Sequence, residues 1–318
     1  MNKGFYFLFV LILTFLLGFG TRYFTSRVTR VEVSELQPCQ YELINPLRCD
    51  PSQVKPKREL SLFKETLIEY IEEQKKSQNV SDVSFYFRDL DSGPTIFFKE
   101  QEEFYPASLM KLPVMITYLK RAQEDNSILA TKFNSGDIQP SVNQNFQSGK
   151  SLEPNRQYSV EELLTTMIVY SDNDSAMLLL KNLWEEDAAI STLSDLGIID
   201  PTKSKDEYLT VKQYASLFRI IYNASYLNLE MSEKALDILS RSEFKAGLRR
   251  KLPENTRIAH KYGEHEAGGM SQLHDCGIVY HPKTNYVLCV MTSGKNFGTN
   301  AGVIAEISKR VYDEVATF

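Results

Sequence analysis

The chain has 318 residues, 42% of them hydrophobic and 24% charged, which is the profile of an ordinary globular protein with length for one large core or two interlocked ones. Net charge is −5, the isoelectric point is about 5.6, and no basic cluster interleaves with aromatic residues, so nucleic acid is excluded as an expected partner. The four cysteines fall near the two ends, Cys39 and Cys49 at one and Cys276 and Cys289 at the other, and none forms a C-x-x-C pair.

Gly4 to Gly20 is a run without charge, preceded by Lys3 and followed by Arg22, Arg27 and Arg30. It reads either as a cleaved signal peptide or as an uncleaved anchor, which needs roughly 17–25 apolar residues. The anchor is the favoured reading of residues 1–24. The arginines beyond it run against the usual charge asymmetry. The body is nevertheless expected outside the cytoplasm, because of the chemistry described below. Residues 25–58, with Pro38, Pro46, Pro51 and Pro56, are expected to be an extracytoplasmic tether. Cys39 and Cys49 within it either close a small loop in an oxidising compartment or stay as thiols.

From Glu59 to Lys76, Leu60, Phe63, Leu67, Tyr70 and Ile71 recur at helical spacing. Val83, Phe85 and Phe87 then alternate with other residues, Asp91 to Pro94 makes a turn, and Thr95 to Lys99 returns as a second strand. A helix follows Ser108, with Pro113 early in it. Residues 127–160 are polar and irregular. Helices are expected over Val160 to Val169, from about Asp174, over Ala188 to Leu196, after a cap at Thr210, and over Ser232 to Ser240. Strands return at Arg257 to Gly263, Cys276 to Tyr280 and Tyr286 to Met291, and a helix over about Ala301 to Val315 closes the chain. The order implies an α+β fold: an antiparallel sheet with helices against it and an all-helical insertion at about 120–245 within a domain spanning 59–318. No internal repeat is visible.

The stretch Phe104-Tyr-Pro-Ala-Ser108-Leu-Met-Lys111 places a hydroxyl three residues before an amine at a helix start, where the two share a face. A serine hydroxyl becomes a good nucleophile when a neighbouring base takes its proton, and lysine can be that base once burial lowers its pKa. Alone the pattern says little: Ser-x-x-Lys begins at Ser52, Ser61, Ser108 and Ser242. Ser171-Asp172-Asn173 occurs once, after Tyr170. Lys-x-Gly occurs at Lys245 and Lys261, and the second is preferred because it lies on an expected strand after Leu252-Pro253. Three elements in the order S-x-x-K, S-D-N, K-x-G are far more specific than any one.

With these motifs the chain resembles the class A β-lactamase and penicillin-recognising serine hydrolase family over about residues 60–316. The resemblance implies a five-stranded sheet and a division of roles. Ser108 attacks a carbonyl and becomes acylated, and Lys111 receives its proton. Ser171 relays a proton to the leaving nitrogen with the help of Lys261, while Asp172 anchors the turn. Asn173 holds the substrate amide, and Tyr262, Gly263 and Glu264 line the substrate edge. The backbone N–H groups of Ser108 and Glu264 form the oxyanion hole. It further implies a β-lactam or peptidoglycan-peptide substrate, no cofactor or metal, membrane contact only through the N-terminal segment, and a monomer.

Three departures temper this. The family's Glu-x-x-Leu-Asn deacylation loop has no counterpart between Leu196 and Leu209, where Asp206 and Glu207 are the only late acids and Glu207 is a weak substitute. Tyr262 stands where threonine or serine usually donates to the substrate carboxylate. No arginine lies between Lys261 and Arg310 to pair that carboxylate, leaving His274 as a poor stand-in. His260, His265, His274 and Cys276 fit no zinc spacing. Cys276 and Cys289 are expected as small buried side chains rather than a disulfide, and Trp184 as helix packing. Slow deacylation is therefore expected, with a D,D-peptidase-like enzyme or a non-turnover wall-sensing module as alternatives.

Overall fold

The computed structural model describes residues 41–48, 60–136, 145–146, 150–183, 187–200 and 208–318. In chain order the elements are helix α1 (Ser61–Lys76), strands β1 (Asp82–Asp89), β2 (Thr95–Phe98) and β3 (Glu103–Phe104), a 3-10 turn (Ala107–Met110) and helix α2 (Lys111–Ala122). Strands β4 (Lys132–Asn134) and β5 (Gln157–Ser159) lead into helices α3 (Val160–Val169), α4 (Asn173–Lys181) and α5 (Ala188–Asp195). Strand β6 (Leu209–Thr210) precedes helices α6 (Val211–Tyr222) and α7 (Leu229–Ser240). Strands β7 (Arg257–Ala267), β8 (Met270–Tyr280) and β9 (Asn285–Gly294) and helix α8 (Phe297–Ala316) complete the order.

The main sheet has five strands in the order β2-β1-β9-β8-β7, every pair antiparallel. Successive side chains of a strand point to opposite faces, so β9 shows the plan most clearly. Tyr286, Leu288 and Val290 pack into one core with α1 and α8, while Val287, Cys289 and Met291 pack into the other with α2, α3, α6 and α7. A sheet covered on both faces needs nearly unbroken apolar strands, which β9 has. Strand β7 is left at the edge, with its free side toward the helical region.

Local chemistry sets the helix starts. Ser159 with Glu162, and Thr210 with Gln213, form capping boxes at α3 and α6, and Asp172 caps α4 through Ser175 N at 2.6 Å. Two short ladders join the chain elsewhere: β4 pairs with β5 inside the stretch that reads as irregular, and β3 pairs with β6.

Part of the stretch expected as a tether is docked onto the body. Leu43 and Ile44 are buried in the core on the helical side. The Glu233 carboxylate on α7 accepts the N–H groups of Glu42, Leu43 and Ile44 at 3.0–3.1 Å. The cysteine expectation is corrected: Cys276 and Cys289 form a disulfide, because the β8–β9 register makes them cross-strand partners. The apolar run 4–20, the Cys39–Cys49 loop, Trp184, Asp206 and Glu207 lie outside the described residues. Among the described residues no helix is long and apolar enough to cross a membrane.

Candidate active site

The turn that carries Ser108 is held from three sides. Strand β3 ends at Phe104, paired with Leu209, and the chain then turns through Pro106 and Ala107, whose φ of 49° lies in the left-handed region. Such a backbone in a residue with a Cβ is strained and persists only where the surroundings dictate it. Leu109 is fully buried, its N–H donates to Pro106 O at 3.0 Å, and its carbonyl accepts the Tyr214 hydroxyl at 2.9 Å. Strand β7 presses on the same turn at Gly263, where a Cβ would stand 2.6 Å from Pro106 O and 3.1 Å from Leu109 N. Ser108 is thereby presented half-buried beside the edge strand.

Lys111 follows at the junction of the 3-10 turn and α2, 6% exposed. Its amine donates to the Ser171 carbonyl, to Asn173 Oδ1 at 2.6 Å and to Ser171 Oγ at 3.3 Å. The sequence places this amine over the Ser108 oxygen; in the structure its three bonds go across to the α3–α4 turn. Burial pulls the Lys111 pKa down to about 7, against the opposing pull of Asp172 and Glu264. The Asn173 oxygen is engaged by that bond, so the amide's donor end is what it offers a ligand.

Ser171 is fully buried with a φ of 57°, a second left-handed residue at the site. Its Oγ accepts from Lys261 Nζ at 2.8 Å, and the same amine donates to Tyr262 O at 2.7 Å. Lys261 is fully buried, and burial together with the nearby Lys111 holds its pKa well below the usual lysine range. The structure thus joins Lys111, Ser171, Asn173 and Lys261 in one chain of hydrogen bonds. Asp172 anchors the turn as the α4 cap, and burial pushes its carboxyl up.

The backbone of β7 at this point follows from the sheet. The Cα atoms of Cys276 and Cys289 are 3.9 Å apart, the close spacing of a pair that exchanges no backbone hydrogen bonds. Cys276 therefore turns its polar groups to Lys261, its partner on β7, and alternation turns those of Tyr262 and Glu264 to the free edge. The Tyr262 carbonyl meeting Lys261 Nζ agrees with this. The Glu264 N–H accordingly faces the free edge of the sheet.

The Tyr262 side chain stays beside this chain of hydrogen bonds, with Lys261 Nζ 4.4 Å from its ring centroid and its hydroxyl near the Ser171 side chain. Its ring stacks on Phe244 with centroids 3.9 Å apart, and its hydroxyl donates to Phe146 O at 2.9 Å. Phe146 and Phe244 carry no sequence signal for this site, since each meets Tyr262 only through the fold. His274 is corrected as a carboxylate partner: it is fully buried, its ring bonds the Tyr105 carbonyl at 3.1 Å, and burial lowers its pKa to about 4. His260 is buried against Asp275 at 2.8 Å, and His265 lies against the Tyr105 ring. Among the described residues no group of three or more His, Cys, Asp and Glu is arranged to hold a metal ion.

A family model described as "Beta-lactamase enzyme family" matches residues 64–315. The chain belongs to that family. Solved structures of similar fold include PBP-A, at 23% identity and a TM-score of 0.69, covering 83% of this chain and 100% of that one. A class A beta-lactamase from Bacteroides cellulosilyticus matches at 21% and 0.68, covering 80% and 99%. A beta-lactamase from Chitinophaga pinensis matches at 18% and 0.67, covering 78% and 99%. A comparison with curated proteins finds no match. The β-lactamase fold thus stands as expected from the sequence, with the antiparallel five-stranded sheet and the helices on both its faces.

Proposed function

We propose that this β-lactamase-family protein is a serine hydrolase that forms an acyl-enzyme at Ser108 with β-lactams or related cell-wall peptides and releases it slowly. The observation that carries the reading is the buried chain Lys111–Ser171–Lys261, beside the turn that presents Ser108. A lysine with a pKa near 7 has a substantial neutral fraction at physiological pH and can take the Ser108 proton directly or through a water. The Ser108 oxygen then bonds the carbonyl carbon, whose oxyanion is held by the N–H groups of Ser108 and Glu264. As the carbon–nitrogen bond breaks, the nitrogen receives a proton through Ser171, replenished from Lys111 or Lys261. A mutant of PBP-A, a neighbour in fold, has been captured in an acyl-enzyme complex with penicillin G.

Slow release is argued from the sequence, since the family's Glu-x-x-Leu-Asn loop has no counterpart between Leu196 and Leu209. A D,D-peptidase-like enzyme shares the acylation half-reaction, and a wall-sensing module would stop at it. The stacked and hydrogen-bonded Tyr262 favours the last of these as the second reading, because it occupies a donor position with a group already engaged. An extracytoplasmic body tethered to the membrane through residues 1–24 belongs to the same proposal, supported by the Cys276–Cys289 disulfide.

Intact-mass spectrometry of the soluble body mixed with a penicillin tests it. An adduct of the whole penicillin mass should appear and decay over minutes to hours, and Ser108→Ala should show none. An adduct that never decays supports the sensing module. No adduct in the wild type, or one retained in Ser108→Ala, overturns the proposal.

A further inference from the structure

The leaving-group end of the cleft carries an arrangement that the motifs alone do not explain. Substrates such as penicillins bring a carboxylate beside the scissile bond, on the side of the proton relay. A cleft that recognises it needs a cation or hydroxyl donors with capacity to spare. Four observations show that the described residues offer little of it. The Lys261 amine, fully buried, already commits two of its three N–H groups, to Ser171 Oγ and Tyr262 O. The Tyr262 hydroxyl already donates to Phe146 O. The neighbouring strand β8 holds no lysine or arginine, and its His274 is turned to the Tyr105 carbonyl.

The fourth observation is Glu264. It follows the Lys-x-Gly motif directly on the edge strand, and its charge acts on both Lys111 and Lys261. Its two carboxylate oxygens are buried and complete no hydrogen bond among the described residues. The Asn145 and Phe146 backbone groups and the Asn145 side chain lie close enough to favour the anion. Burial pushes the carboxyl up, and Lys261 holds it down. The motif's positive charge is therefore answered from within the chain. A substrate carboxylate placed beside Lys261 lies in the field of this second, buried carboxylate, and like charges brought near one another are costly.

We infer that this cleft selects acyl donors whose leaving-group end carries no free carboxylate, being neutral or cationic, and that Glu264 is the specificity-determining residue. The inference rests on the acyl-enzyme reading above and narrows its substrate class to esters, amides or amine-bearing peptides over free acids. The chemistry is otherwise unchanged: Ser108 Oγ bonds the carbonyl carbon, the carbon–nitrogen bond breaks, and the proton from Ser108 ends on the leaving nitrogen.

A penicillin and its methyl ester differ in that one charge and serve as probes. Initial acylation rates are followed by intact mass, each divided by the probe's own alkaline hydrolysis rate. The wild type should acylate with the ester faster than with the free acid by about tenfold or more. In Glu264→Gln the ratio should fall toward one, chiefly through faster reaction with the acid. Glu264→Ala, which removes the group altogether, should move it the same way and guards against a poorly seated glutamine. Binding of the two probes to Ser108→Ala by calorimetry gives the same preference without chemistry. A free acid that reacts as fast as the ester in the wild type, or a ratio that neither Glu264 variant changes, overturns the inference while leaving acylation intact. Reaction of Ser108 with neither probe overturns the acyl-enzyme reading itself and removes the inference with it.

Discussion

Two ammonium groups cannot be kept charged cheaply in one buried cleft, and the cost falls on the proton. Lys111 and Lys261 each lose their charge more readily because desolvation penalises it, and Lys111 adds its own charge to the penalty on Lys261. Acylation should therefore rise with pH as Lys111 gives up its proton, about tenfold per unit well below pH 7 and levelling above it. Stopped-flow acylation across pH 5–9 is the measurement, and a flat profile would remove Lys111 as the base. Lys111→Arg retains the charge and cannot release it, so the rate should fall by roughly a hundredfold or more. The same displacement has a sign for stability. The folded pKa of Lys111 lies below the usual value of 10.5, so between about 7 and 10.5 the unfolded chain binds more protons than the folded one. Stability from this group is lowest below pH 7 and grows as pH rises through that window. The thermal midpoint should climb between pH 7 and 9, and Lys111→Met should flatten the climb.

Among the elements, the contact of β7 with the turn that carries Ser108 does most to assemble the site. A backbone this close leaves no room at Gly263, and adding one methyl would drive the strand from Pro106 and Leu109. Gly263→Ala should cost about 1–3 kcal/mol of stability by overpacking, and should slow acylation by about a hundredfold as the oxyanion donors separate. Gly268→Ala is the control, since its φ of 60° strains the turn while its surroundings are open. It should lower the melting temperature slightly and leave acylation unchanged. The alternation in β1 and the Thr210 cap were legible because each rests on neighbouring residues. The extension of β8 back to Met270 was not, since Ser271, Gln272 and His274 read as polar until pairing with β7 and β9 buries Ser271 and His274. The motif residues were legible as types at fixed spacing. The fate of Tyr262 was not, because Phe146 and Phe244 reach it from more than a hundred residues and from eighteen residues away in sequence.

For the whole molecule, the docked strap at 41–45 joins parts of the fold that share no local signal. Asn45 N donates to Tyr222 O at 2.7 Å, the Tyr280 hydroxyl donates to Leu43 O at 2.9 Å, and Arg257 pairs with Glu42 at 3.0 Å. The strap thereby ties α6 and α7 to the ends of β7 and β8. Two apolar residues between prolines gave no sign of burial, because what draws them in is the Glu233 carboxylate almost two hundred residues on. That single carboxylate answers three consecutive N–H groups, so removing it leaves donors with no partner at a packed surface. Glu233→Ala should cost about 2 kcal/mol by that account. In a body of this size the loss lowers the thermal midpoint by roughly 4–8 °C. The strap meets β7 at Arg257, seven residues from Glu264 and so about 20 Å along the strand from the cleft. Acylation measured well below the midpoint should accordingly stay within about twofold of the wild type. A Glu233→Ala protein that melts normally would show that Leu43, Ile44 and the remaining bonds hold the strap without that carboxylate, and one that loses acylation while folded would show that the strap reaches the site.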